Sequence, residues 1–232
     1  MSQTNALTAF QTRKQDRIES GYADQISSRS YNAIMCGTLL WGFLANVLMV
    51  AFLAAPVMNL AMRVGPLWLF VGYIVLALVG IMMSARSSSP VVSFIGFNLL
   101  VLPMGVMLCL LVPGLPVAVV TKALLLTGIV TATMVLLGIV QPNLFLSMGR
   151  TLFIAFIAAF IAELVATFLF HYNGTAFDWI FVILFSGYIG YDVAKAQIYP
   201  KTVDFAIDCA LDIYIDIIGL FIRLLSLLSR EN

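Results

Sequence analysis

From Tyr31 to Ser229 this chain is apolar sequence broken only by short polar or proline-bearing turns. That pattern limits the fold more than any single motif does. A helix crossing the hydrocarbon core of a membrane needs about 20 predominantly apolar residues. Seven stretches meet or approach that length: Tyr31–Met58, Leu67–Ala85, Val91–Val112, Pro116–Val140, Thr151–Phe170, Phe177–Tyr199 and Asp204–Ser229. Between them lie Arg63–Pro66, Arg86–Pro90, Pro113–Pro116, Gln141–Asn143, Asn173-Gly174 and the connection Pro200–Val203. Runs of this kind exclude a β-barrel, whose strands alternate over about ten residues. A chain that is 62% hydrophobic and 10% charged, with a mean hydropathy of +1.06, cannot hide its apolar surface in a water-soluble domain. The expected fold is therefore an all-α integral membrane protein with seven transmembrane helices, joined so tightly that neighbours run antiparallel. No internal repeat stands out.

Residues 1–29 form a polar tail of mixed charge, with Arg13, Lys14, Arg17 and Arg29 against Asp16, Glu19 and Asp24, and the transmembrane domain occupies 30–232. The first apolar run is long enough to span, so it reads as an anchor and not as the core of a cleavable signal. With the N-terminus in the cytoplasm, Arg13, Lys14, Arg17, Arg29, Arg86, Arg150, Lys195 and Lys201 fall inside, and Arg63, Lys122, Arg223 and Arg230 outside. That asymmetry favours a cytoplasmic N-terminus. Trp68 and Trp179 then begin spans at the outer interface. A net charge of +1 without any basic, aromatic-laced patch gives no sign of nucleic-acid binding. Cys36, Cys109 and Cys209 match no zinc spacing and read as small buried hydrophobes.

The last stretch is unlike the others. Asp204, Asp208, Asp212 and Asp216 recur every four residues within it, and Asp192 lies in the stretch before. Ionised carboxylates are expensive inside a membrane, and their default reading is an ion, proton or catalytic site. Four helical residues rise about 6 Å and drift about 40° around the axis, so Asp208, Asp212 and Asp216 form a slowly winding stripe with Asp204 at its mouth. Ile207, Leu211, Ile218 and Leu225 occupy the other face. Such a helix is too acidic to face lipid and is expected to be enclosed by the other six. Asp204 and Asp208 are expected to be solvated at its end. Asp192 lies seven residues before Tyr199, and Asp216 twelve after Asp204, so a pairing of Asp192 with Asp216 or Asp212 is geometrically plausible. Two carboxylates in a low-dielectric site tend to share a proton, and when deprotonated they present oxygen to hard cations such as Ca²⁺. Arg86, closing the second stretch, is either an interfacial anchor or a counter-ion for Asp192. Glu163, deep in the fifth, is a candidate proton relay or a helix contact. His171 is expected at the outer interface.

The same residues resemble the Bax inhibitor motif family. The likeness rests on Gly187–Asp192 (GYIGYD) and on Ala210–Leu228, where Ala210, Leu211, Ile213, Tyr214, Asp216, Leu220 and Phe221 follow the family's pattern for a central seventh helix. Gly219 stands where that pattern has Asn, and Asp212 where it has a small neutral residue. The resemblance implies seven helices with the last enclosed, and a pH-sensitive Ca²⁺ leak. By position, Asp192 and Asp216 would be its sensor and metal-contacting pair and Arg86 its latch; the acidic stripe itself adds Asp212 and Asp208 as expected pathway residues. It implies no cofactor beyond Ca²⁺ as the transported ion, with H⁺ and the lipid bilayer as the other partners. The short loops suggest a bacterial inner-membrane member.

Two other functions compete. A proton-coupled transporter would use Glu163 and the aspartate stripe as a relay. An intramembrane aspartyl protease also pairs a Tyr-Asp with an Asp in the next span, but here Asp216 follows Ile213-Tyr214-Ile215 where such enzymes place Gly-x-Gly. The chain is therefore expected not to be an enzyme.

Overall fold

The structure, a computed structural model, describes residues 25–87, 89–172 and 174–230, apart from the side chains of Pro66, Ala85 and Arg86. The polar tail, from Met1 to Asp24, lies outside the described residues. Among the described residues there are seven α-helices and no strand: α1 (Ser28–Val64), α2 (Pro66–Arg86), α3 (Pro90–Leu111), α4 (Val117–Val140), α5 (Pro142–Phe170), α6 (Ala176–Ile198) and α7 (Val203–Arg230).

The sequence breakers are helix starts. Pro66, Pro90 and Pro142 each open a helix, where the missing proline N–H would have had no partner anyway. Ser27 caps α1 by accepting the Ser30 backbone N–H at 3.1 Å. A single residue, Gly65 at φ 90°, separates α1 from α2, and that backbone region favours glycine. The fifth helix corrects the expected boundary. It begins at Pro142, nine residues before Thr151, because Ser147, Gly149 and Arg150 do not interrupt it. At 37 residues, α1 is about 55 Å long and outruns a hydrocarbon core of about 30 Å.

Among the described residues, helices α1 to α6 are each long and apolar enough to cross a membrane; α7, with its charged residues, is not among them. The six expose large apolar side chains, among them Phe52, Trp68, Ile129, Leu136, Phe153 and Phe168. Such a surface suits lipid and would aggregate in water. Helix α7 is the opposite. From Val203 to Ser229 none of its residues is exposed.

The chain divides into two compact units: residues 1–114 with 199–211, and residues 115–198 with 212–232. In the first, α3 packs on both α1 and α2; in the second, α6 packs on both α4 and α5. Close backbone approach makes both contacts possible. A Cβ at Gly96 would stand 2.6 Å from the Gly80 carbonyl oxygen, and one at Gly138 would stand 2.7 Å from that of Gly190. Small residues serve this purpose in membranes, where no hydrophobic force drives helices together. The α4–α6 contact is also tied by Gln197 Nε2 donating to the Gly138 carbonyl at 3.0 Å, and the α1–α3 contact by Trp41 Nε1 donating to Asn98 Oδ1 at 3.0 Å.

Candidate functional site

The second unit holds the most acidic buried cluster. Helix α6 supplies Asp192 and, one turn on, Lys195; α7 supplies Asp212 and, one turn on, Asp216. Asp192 and Asp216 are both 6% exposed, and their carboxyl groups lie close enough to interact directly. Lys195 Nζ donates to Asp212 Oδ2 at 2.5 Å and to Asp192 Oδ1 at 3.3 Å. Asp192 is thus flanked by a carboxyl on one side and an ammonium on the other. Asp216 Oδ2 is buried and meets no N–H or hydroxyl donor among the described residues. A buried oxygen without a donor is costly unless it carries a proton or meets a cation.

The flanking sequence explains how these groups come together. In the GYIGYD stretch, Gly187 and Gly190 make room for α5: Cβ atoms there would strike Leu152 and Phe145. Gly219 has a similar purpose on α7, where a Cβ would lie 2.5 Å from the Phe185 ring. The departure from the family's Asn is therefore filled by an aromatic ring of α6. Around the pair, Ile189 packs with Leu220 and Leu224, while Phe156 meets Phe181, Phe185 and Tyr188 edge-on.

A second ionic group in this unit involves three helices. Arg223 of α7 grips Glu163 of α5 with both terminal nitrogens, at 2.5 and 2.8 Å, and donates to Asp178 of α6 at 3.0 Å. Ser226 Oγ donates to Asp178 at 2.9 Å, and the guanidinium lies 4.2 Å from the Phe181 ring centroid. Glu163 is thus held in a bidentate ion pair.

In the first unit Asp204 and Asp208 are hydrogen-bonded. Ser93 Oγ of α3 donates to Asp204 at 2.5 Å, and Ser84 Oγ of α2 donates to Asp208. Asp204 is 5% exposed, which corrects the expectation that it is solvated; a hydroxyl takes the place of water. Nearby, Tyr31 donates to Cys209 Sγ at 3.3 Å, and Lys201 Nζ lies 4.5 Å from the Tyr31 ring centroid. Burial lowers the Lys201 pKa below the usual lysine value; this residue lies in the connection between α6 and α7. Arg86 ends α2, and its side chain lies outside the described residues. His171 terminates α5 in the left-handed region, at φ 50°. Cys109 and Cys209 are buried as expected, but Cys36 is exposed on α1.

Sequence reasoning missed two partners. Lys195 was counted only as an inner-side charge, although its spacing of three from Asp192 places both on one helix face. Arg223 was counted as an outer-side charge, although a cation so deep in an apolar helix needs a carboxylate and Glu163 was available. Asp178, at the start of α6, gave no signal beyond that of an ordinary first-turn acid.

Long apolar helices with lipid-suited surfaces, and one acidic helix withdrawn from exposure, define a multi-pass integral membrane protein. The chain belongs to the family described as Inhibitor of apoptosis-promoting Bax1, which it matches over residues 24–232. No curated protein matches it.

Proposed function

We propose that this protein is a pH-sensitive calcium leak channel of the bacterial inner membrane, with its N-terminus in the cytoplasm and α7 enclosed by the other six helices. Asp192 and Asp216 form its sensor. The observation that carries this reading is the carboxyl–carboxyl contact of two buried aspartates, one of which has an oxygen without a donor. A proton shared between them satisfies that oxygen and holds α6 against α7. Loss of the proton leaves two like charges in a poor dielectric, which repel and favour a separated arrangement open to a cation.

Among the described residues no three carboxylate, thiol or imidazole side chains converge to hold a metal ion. The Asp192–Asp216 pair offers about four oxygens, short of the six to eight that Ca²⁺ takes from a tight site. That supply suits passage, in which an ion must leave as readily as it enters. Asp212 and Asp208 extend the pathway along α7. Arg86 is the latch that the family resemblance assigns by position. The transporter reading is weaker, because Glu163 is engaged by Arg223 and is a poorly placed relay.

The test is Ca²⁺ flux in proteoliposomes. Asp192→Asn and Asp216→Asn are each expected to change the leak rate and flatten its response to pH. Flux unchanged in both variants would sink the proposal, and cleavage of a membrane substrate by the purified protein would revive the protease reading.

A further inference from the structure

The carboxylate cluster already contains a cation, and it belongs to the chain. Lys195 reaches from α6 to Asp212 at 2.5 Å and back to Asp192 at 3.3 Å. Exposure falls steadily through the cluster: the Asp212 side chain is 36% exposed, Lys195 19% and Asp192 8%. The ammonium therefore lies between the most accessible carboxylate and the most secluded ones. Lys195 answers the charge of Asp212 directly.

We propose that Lys195 is a tethered counter-ion that occupies the carboxylate cluster in place of a metal cation and so sets the affinity of the cluster for divalent ions. This deepens the calcium-leak reading and rests on it for the identity of the ion. An incoming divalent cation competes with the ammonium for the same oxygens, Asp192 Oδ1 and Asp212 Oδ2. Lysine suits the task because its charge is a compact point on a flexible stem, able to swing aside. An arginine would grip a carboxylate with two parallel bonds and release it less readily. The position of Lys195 also gives specificity. A monovalent ion gains little by replacing one unit charge with another, whereas a divalent ion brings twice the attraction to the same carboxylates.

The experiment pairs two readouts on full-length protein: Ca²⁺ flux in proteoliposomes and equilibrium ⁴⁵Ca²⁺ binding in detergent, for wild type, Lys195→Met, Lys195→Arg and Asp216→Asn. Size-exclusion profiles and melting temperatures establish that each variant is folded. Lys195→Met is expected to bind Ca²⁺ at least about tenfold more tightly than wild type, since a unit charge at contact distance is removed. Its leak at low Ca²⁺ rises in parallel, and Lys195→Arg stays at or below the wild-type value. Should Lys195→Met match wild type while Asp216→Asn alters the leak, the channel reading stands and the tethered counter-ion is wrong. Should no protein leak, the channel reading fails. Binding then decides the counter-ion on its own: tighter binding by Lys195→Met supports it, and equal binding overturns it. If Lys195→Met does not fold, Lys195→Gln takes its place in the same comparison.

Discussion

Replacing Arg223 with methionine removes the one guanidinium that joins α5, α6 and α7 through Glu163 and Asp178. Three charge-assisted bonds are lost, at 2.5, 2.8 and 3.0 Å. Taken one by one, such bonds contribute about 1.5–3 kcal/mol each. They share one cation and do not add, so the better guide is the about 3–5 kcal/mol lost when one partner of a buried ion pair is deleted. Asp178, with its side chain 6% exposed, keeps the Ser226 hydroxyl at 2.9 Å and has Arg230 at 3.9 Å, which soften its loss. Glu163, 24% exposed, is partly solvated. Both facts point to the low end, about 3 kcal/mol. At about 2–4 °C per kcal/mol for a chain of this size, the melting temperature falls by roughly 6–12 °C. The assay is thermal denaturation of detergent-purified protein followed by size exclusion. Arg223→Lys keeps the charge without the two-pronged grip and falls between wild type and Arg223→Met. Adding Glu163→Gln to Arg223→Met removes a stranded charge and restores part of the loss. A shift under about 2 °C for Arg223→Met would refute the reasoning.

Other substitutions test the packing and the hydroxyl partners. Gly96→Leu drives a side chain into the α2 backbone, where even a Cβ meets the Gly80 oxygen at 2.6 Å, and is expected to cost about 1–3 kcal/mol in the same melt. Ser93→Ala removes the hydroxyl that donates to the buried Asp204 carboxyl and is expected to cost about 1–3 kcal/mol, with Ser93→Thr close to wild type. Gly65→Val places a branched residue at φ 90° between α1 and α2, and a destabilisation of at least about 1–2 kcal/mol is expected by thermal melting.

Hydrophobic length carried most of the fold. Apolar runs bounded by Pro66 and Pro90 located two helix starts, because a proline that ends one helix by necessity can open the next. The start of α5 was missed because Ser147 and Arg150 look like loop residues by composition, yet neither stops a helix; Ser147 donates to the Leu144 carbonyl within it. The acidic stripe located Asp192 and Asp216 because few forces besides function or pairing keep carboxylates in apolar sequence. Their partners were harder to see. Spacing along one helix is visible in sequence, but which residue of another helix faces it depends on crossing geometry. That geometry depends here on contacts such as Gly138 against Gly190. The cation in the cluster is Lys195, close in sequence to Asp192, and the 17-residue separation from Asp212 is bridged only by the turn between α6 and α7. The serines that meet Asp204 and Asp208 lie more than a hundred positions away, at separations of 111 and 124, and nothing in their local sequence marks them.

The central claim is that the Asp192–Asp216 pair senses protons and controls a calcium leak. Its most direct test is the initial rate of Ca²⁺ entry into proteoliposomes across a pH series, for wild type and the Asp192→Asn/Asp216→Asn double variant. The shared-proton account predicts a wild-type leak that grows as pH rises and the pair loses its proton, and a double variant whose leak no longer depends on pH. A wild-type leak indifferent to pH, or a double variant with the wild-type pH response intact, would contradict it.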